Sequence, residues 1–111
     1  MNILKTSREL NDEEVYLLCM QANVNKMSDA EGQVLELEAW ALYEDENARG
    51  ETNEVLAILT KDGDVFGTIS ATFIKEFNKM ADHFKDRLLK IKVVSGTTKN
   101  GRQYISCAYA K

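Results

Sequence analysis

The sequence predicts a single small domain, residues 1–111, that is mainly β with helices. Three observations lead to this fold class. Apolar residues occupy every second position over residues 33–43, the period of a half-buried strand. Asp62-Gly63 and Asn100-Gly101 are dipeptides favoured in tight hairpin turns. Between these turns, apolar residues spaced three and four apart predict one amphipathic helix.

Composition limits the classes of protein to consider. A chain of 111 residues with 44% apolar content can build one core and no second domain. The first residues are followed at once by polar ones and give neither a signal peptide nor a membrane span, so we expect a cytoplasmic protein without a membrane partner. Cys19 and Cys107 lack Cys-x-x-Cys spacing, which favours buried reduced thiols.

Residues 1–32 are predicted to form an extension with one helix and a turn. Asn11 and the acids at 12–14 are suited to cap a short helix whose apolar face carries Val15, Leu18, Cys19 and Ala22. A strand over residues 15–20 is the alternative, because that run contains no breaker. A brief extended piece over 24–27 and a turn over 28–32 follow.

The strand Gln33–Tyr43 is the predicted centre of the fold. Its alternation assigns one face to the core and the other to polar residues. The predicted core face carries Leu35, Leu37, Ala39 and Ala41, and the opposite face carries Glu36, Glu38 and Trp40. An indole on a polar strand face either covers an edge of the core or binds a ligand.

The later elements follow in a regular order. A polar loop over 44–51 precedes a strand over 54–60, the turn 61–64 and a return strand over 65–69. Ser70 is placed to cap a helix with the core-facing stripe Phe73, Phe77, Met80, Ala81 and Phe84. Leu89, Ile91 and Val93 then alternate with Lys90 and Lys92, and a turn over 95–102 leads to a last strand over 103–110.

Over residues 33–110 this order is that of an OB-fold, a five-stranded Greek-key barrel with a helix between strands 3 and 4, here with an extra N-terminal helix. An open sheet with one helix across its face is the alternative that the pattern leaves open.

Catalytic and metal-binding motifs are not recognisable in the sequence. His83 is the only histidine and has no nucleophile in a known arrangement, so a surface position is favoured. The run 44–46 lacks the spaced pattern of a calcium loop, and neither Gly63 nor Gly67 lies between a strand and a helix as a phosphate loop requires. We therefore expect a protein that is not an enzyme and uses no cofactor and no metal.

Charge and aromatic residues point to nucleic-acid binding. Residues 1–70 hold 5 basic and 15 acidic side chains, whereas residues 71–111 hold 9 basic and 3 acidic ones. Such asymmetry can mark an anionic partner, although with a net charge of −4 ordinary solvation explains it better on its own.

Single strands bind where bases stack on aromatic rings beside cations. The residues that fit on predicted strands and on the loops used by OB-folds are Trp40, Tyr43, Arg49, Lys90, Lys92, Lys99, Arg102 and Tyr104. Core packing is the alternative for each aromatic; it is favoured for Tyr43 and Phe66, balanced for Tyr104 and disfavoured for Trp40.

Two segments carry a resemblance to a known family. The run 91–104, with Lys-Val-Val-x-Gly-Thr at 92–97 and Gly-x-x-Tyr at 101–104, and the run 35–43 resemble the small single-stranded DNA-binding proteins of phages and mobile elements of Gram-positive bacteria. The Asp-Gly hairpin and the spacing of the intervening helix agree, and the likeness covers about residues 32–110. It implies an OB-fold that coats and protects displaced single strands during DNA replication, without sequence preference, with replication proteins as further partners. It indicates no oligomeric state.

Two functions from different classes therefore remain. One is sequence-independent binding of single-stranded DNA in the host cytoplasm. The other is a protein–protein interaction module that uses an exposed face around Trp40.

Overall fold

The computed structural model describes residues 1–22 and 24–111; Asn23, in the predicted N-terminal extension, lies outside them. The fold is mainly β, with a curled sheet and two α-helices. The strands are β1 (Asn2–Thr6), β2 (Asn25–Lys26), β3 (Val34–Glu46), β4 (Thr52–Thr60), β5 (Val65–Thr68), β6 (Lys90–Thr97) and β7 (Gln103–Tyr109). The helices are α1 (Asp12–Val15), continued by a π-helical segment (Tyr16–Met20), and α2 (Ala71–Phe84). Short 3₁₀ turns cover Met27–Ala30 and Lys85–Arg87.

The sheet curls around β3, which changes partners along its length. Its first residues pair with β6, Val34 opposite Lys92 and Glu36 opposite Lys90. Its later residues pair with β4 on one side and β1 on the other. The strand order is β2-β5-β4-β3-β6-β7, with β1 on β3, and all pairs are antiparallel except β2 with β5. Within the described residues β7 pairs with β6 alone, so that edge of the sheet stays open.

The five predicted strands correspond to β3 through β7, with α2 between β5 and β6 in the chain. The sheet of the described chain has seven strands, because β1 and β2, which lie within residues 1–32, add to these five. The N-terminal helix is confirmed over the strand alternative. Asn11 caps it: its side chain accepts from the Glu14 N–H at 2.8 Å, and the Glu14 carboxylate accepts from the Asn11 N–H at 3.0 Å.

Two predicted boundaries need correction. Glu44, Asp45 and Glu46 lie in β3 and not in a loop, because the hairpin with β4 continues through Glu46 opposite Thr52. Leu89 is exposed and precedes β6, while the neighbouring Leu88 is buried in the core instead. Helix α2 is confirmed, with the Ser70 hydroxyl accepting from the Phe73 N–H at 3.3 Å and Phe73 and Phe77 fully buried.

A β-bulge at Glu38 reverses the faces of β3. Leu37 lies opposite Thr60 and Ala39 lies opposite Leu59, so two steps along β3 match one step along β4. A one-residue shift exchanges the two faces of a strand. Leu35 and Leu37 therefore share a face with Trp40 and not with Ala39, and the predicted common face of Leu35 through Ala41 is wrong.

Both faces of the sheet are buried around β3 and β4. The inner cluster contains Trp40, Leu42, Leu56, Ile58 and the stripe of α2. The outer cluster packs the segment after α1 on the other side of the strands; it contains Leu18, Ala39, Ala41, Ala57, Leu59 and Val65. Because both faces are covered, the apolar residues at 39–42 of β3 and 56–59 of β4 are buried whichever way they point.

The N-terminal segment is tied to the bulge by charged groups. Arg8 donates to both oxygens of Glu14, at 2.8 and 2.6 Å, and to the Glu38 carboxylate at 3.2 Å. The hydrogen bonds from Arg8 and from the Asn11 N–H lower the pKa of Glu14 to about 2. The Arg8 guanidinium thus joins helix α1 to the bulge at Glu38.

No helix among the described residues has the length and apolar character needed to cross a membrane.

Candidate nucleic-acid interface

The outward side of β6 and β7 forms an uncovered surface that we call the hairpin face. Residues directly opposite one another in antiparallel strands share a face. Lys92 lies opposite Ala108, and Gly96 lies opposite Tyr104. The other side carries the buried Ile91 and Val93, so Lys90, Lys92, Val94, Tyr104 and Ser106 point away from the core.

Tyr104 supplies an aromatic ring on this face, and its position depends on Gly96. The side chain is 40% exposed, which leaves ring surface for a ligand. A Cβ placed on Gly96 would lie only 2.5 Å from Tyr104 Cζ and 3.0 Å from Cε1. The ring therefore lies across the backbone of β6 in space that any other residue at 96 would occupy. This close approach accounts for the glycine in the Lys-Val-Val-x-Gly-Thr segment.

The hairpin that carries Tyr104 also carries four cations, on its turn and along β6. The turn between β6 and β7 is closed by the Thr98 N–H to Arg102 carbonyl bond of 2.8 Å and the Gly101 N–H to Thr98 carbonyl bond of 3.0 Å. The φ of Gly101 is 81°, a value that residues with a side chain rarely adopt, so a glycine is suited to complete the turn. Lys99 and Arg102 are exposed on this fixed turn, Lys92 is exposed along β6, and Lys90 is half-buried.

Five of the eight predicted binding residues thus meet on one hairpin: Lys90, Lys92, Lys99, Arg102 and Tyr104. Arg49 is exposed on a different turn, between β3 and β4. Tyr43 is half-buried beside the outer cluster, in agreement with the alternative that it packs on the core. Burial raises the pKa of its hydroxyl, and Cys19 and Asp45 add to this effect.

The prediction that Trp40 is exposed is wrong. Only 8% of the residue is accessible, and the bulge at Glu38 directs it into the inner cluster, where it meets the ring of Phe77. Its backbone is also held, since its N–H donates to Ser7 Oγ and its carbonyl accepts from the Ser7 N–H, both at 3.0 Å. A base has no indole face to stack on at this position.

A groove runs beside the hairpin face, along the open edge of β7, and we call it the seam groove. Its polar end has a cavity volume of about 670 Å³, with walls from Tyr104, Thr97, Gln103, Ser28 and Ser70. Within it the Ser95 hydroxyl donates to Glu31 Oε1. An apolar end of about 360 Å³ continues between β7 and β5, sharing Ser28 and Ile105. Sequence reasoning missed this groove because its serines are far apart in the chain and belong to no motif.

A second cavity, of about 550 Å³, lies between α2 and the start of β4. Ile69 and Ile74 make its walls mainly apolar, and Lys75 and Lys79 are balanced by Glu54 and Asp82. This balance does not favour a polyanion. In the part of the chain that the structure describes, no three His, Cys, Asp or Glu side chains are grouped to hold a metal ion.

Residues 11–109 match the model of a family described as Phage Single-stranded DNA-binding protein, which leaves out only the first ten residues and the last two. No curated protein and no solved structure matches the chain.

Proposed function

Since this chain belongs to the phage single-stranded DNA-binding protein family, we propose that it binds single-stranded DNA without strong sequence preference and protects displaced strands during phage or mobile-element replication. In this role the protein is not an enzyme and requires no cofactor or metal. It acts in the cytoplasm of the bacterial host, where replication proteins are its further partners.

The observation that carries this proposal is the combination of one exposed ring and several cations on the hairpin face. A stacked base needs a free aromatic surface, and Tyr104 offers one. Phosphates flanking that base need cations, and Lys92, Lys99 and Arg102 are exposed on the same hairpin. Stacking and phosphate neutralisation are both insensitive to base sequence, which supports general binding.

The OB-fold remains our proposal for the architecture, supported by the order of β3 to β7 around α2. OB-folds commonly bind oligonucleotides on strands 2 and 3, which would be β4 and β5 here. In this chain the outward side of those strands is covered, because Leu18 packs on Ala57, Leu59 and Val65. The free surface lies instead on β6 and β7, so we place the DNA on the hairpin face.

The alternative function, a protein-interaction module around Trp40, loses its premise. It required an exposed indole, and Trp40 is buried against Phe77. Nothing else on that face of β3 replaces it, since Leu42 beside it is buried as well.

A direct test measures the fluorescence anisotropy of a labelled single-stranded oligonucleotide as the protein is added. We expect single strands to compete well and duplex of the same sequence to compete poorly. Tyr104→Ala should weaken binding by roughly tenfold, since a stacked base contributes about 1–3 kcal/mol.

Tyr16→Ala is the matched control, because Tyr16 is 54% exposed on the π-helical segment, away from the hairpin face. It should bind like the unmodified protein. Equal losses in the two variants, or no binding of single strands at all, would exclude the hairpin face as the DNA site.

A further inference from the structure

A carboxylate, that of Glu31, lies at the wall of the seam groove. Glu31 follows the 3₁₀ turn Met27–Ala30, whose end is fixed by the Glu31 N–H to Ser28 carbonyl bond of 3.2 Å. Gly32, next in the chain, donates to the Val93 carbonyl at 2.7 Å, which ties this turn to β6. The Ser95 hydroxyl then donates to Glu31 Oε1, leaving Oε2 without a hydrogen bond from the described residues. Backbone and side chain together hold the acid at the groove wall.

The charge of the polar end determines which part of a nucleotide can enter it. The other residues that line it supply hydroxyls and the amide of Gln103, so Glu31 supplies the only carboxylate among them and no cation lines this end. A phosphate would be repelled there. We expect the phosphates to bind Lys99 and Arg102 on the adjoining turn. The base edge of a neighbouring nucleotide is then the part that fits the groove.

On this basis we propose that the polar end of the seam groove is a base subsite in which Glu31 favours bases that carry an exocyclic amino group, and Ser95 positions the carboxylate. The inference rests on the proposed function, because it assumes that a single strand passes Tyr104 on the hairpin face and continues over the open edge of β7 into the groove. The volume of about 670 Å³ is ample for one base.

Hydrogen-bond chemistry explains the selectivity. Carboxylate oxygens only accept, and they pair well with the amino groups of cytosine, adenine and guanine. Thymine presents a carbonyl oxygen, another acceptor, where cytosine presents an amino group. Thymine can offer Glu31 only its ring N3–H, which lies between two carbonyl oxygens that repel the carboxylate. The resulting preference is modest and adds to binding that is otherwise general.

The test is competition between oligo-dC and oligo-dT of equal length for the labelled strand, at slightly alkaline pH. We expect oligo-dC to bind roughly three- to tenfold more tightly than oligo-dT, the net contribution of one ordinary hydrogen bond. Glu31→Gln should reduce this ratio markedly, because the amide can turn either a donor or an acceptor toward the base.

Glu36→Gln is the matched control. It removes the same charge from an exposed position opposite Lys90, on the other side of the sheet from the groove. It should raise affinity for both oligonucleotides alike and leave the ratio unchanged. Ser95→Ala should lower the ratio and Ser95→Thr, which keeps the hydroxyl, should restore it.

The outcomes separate the two proposals. Tight binding with equal affinity for oligo-dC and oligo-dT, or a ratio that Glu31→Gln and Glu36→Gln change equally, overturns the base subsite and leaves the proposed function standing. Absence of binding to either oligonucleotide overturns both. Thermal unfolding of each variant verifies that all are folded, as expected for exposed positions.

Discussion

Trp40 meets Phe77 edge to face, with ring centroids 5.1 Å apart and planes at 83°. This is a favoured geometry for two aromatic rings, and it joins the central strand β3 to helix α2 inside the inner cluster. Phe77 is fully buried and Trp40 nearly so. The contact is therefore a packing contact that links sheet and helix.

Trp40→Ala and Phe77→Ala should each destabilise the protein by about 3–5 kcal/mol, the usual cost of truncating a buried aromatic. Urea unfolding followed by circular dichroism measures the change. Tyr16→Ala, at an exposed ring, should stay within about 0.5 kcal/mol. For Trp40→Ala the affinity per folded molecule should be unchanged; lost affinity with unchanged stability would instead return Trp40 to the binding surface.

Gly96→Ala should weaken binding of single-stranded DNA by roughly threefold or more, because the new methyl group displaces the Tyr104 ring. Anisotropy titration measures the affinity. The thermal midpoint should change little, since the displaced ring is exposed and free to move. In a Tyr104→Ala background the same substitution should have no further effect on affinity. An additive second loss would show that Gly96 acts independently of the ring.

Binding should weaken steeply as salt increases, because cations of the hairpin face displace counterions from phosphates. Lys99→Gln and Arg102→Gln should each reduce the slope of log K against log salt by about 0.7, the value for a single-strand contact. Lys79→Gln provides the control, since Lys79 pairs with Glu76 at 3.3 Å on α2. Slopes equal to that of the unmodified protein in all three variants would contradict phosphate contacts at the turn.

Stability should fall on acidification partly through Glu14. The Arg8 hydrogen bonds, followed by that from Asn11, lower the pKa of Glu14 from 4.5 to about 2. A carboxylate with a lowered pKa in the folded state stabilises the fold above its ordinary pKa and loses that effect as pH falls, here between about 4.5 and 2. Unfolding free energy measured across this range should decline less in Glu14→Gln, which starts from a lower value at neutral pH.

Glu13→Gln is the control for that experiment, because Glu13 is exposed one residue away in the same helical turn. Its acid profile should follow that of the unmodified protein. If Glu14→Gln follows it too, the ion pair with Arg8 does not contribute to folding.

The elements that local chemistry defines were predictable from sequence. Ser70 with the apolar stripe defines α2, the Asn11 capping box defines α1, and Gly63 and Gly101 define two turns. The outward position of Lys90 and Lys92 was also predictable, because these residues alternate with the apolar Ile91 and Val93.

The features that depend on distant partners were not predictable. Strand β1 exists because β3 offers it an edge, and its five residues carry no pattern of their own. The bulge at Glu38 has no glycine to mark it, so unbroken alternation placed Trp40 on the wrong face. The Glu31–Ser95 pair joins residues 64 apart in the chain and becomes visible only in the folded sheet.

The bulge at Glu38 also determines which changes of chain length β3 can accommodate. Removing the bulged residue itself would restore a regular ladder and leave every later residue on its present face, because Leu37 and Ala39 already lie opposite consecutive residues of β4. Removing Ala41 instead would turn over the rest of the strand, carrying Leu42 out of the inner cluster and Tyr43 toward it. The same loss of one residue is thus compatible with the fold at the bulge and incompatible with it three positions later.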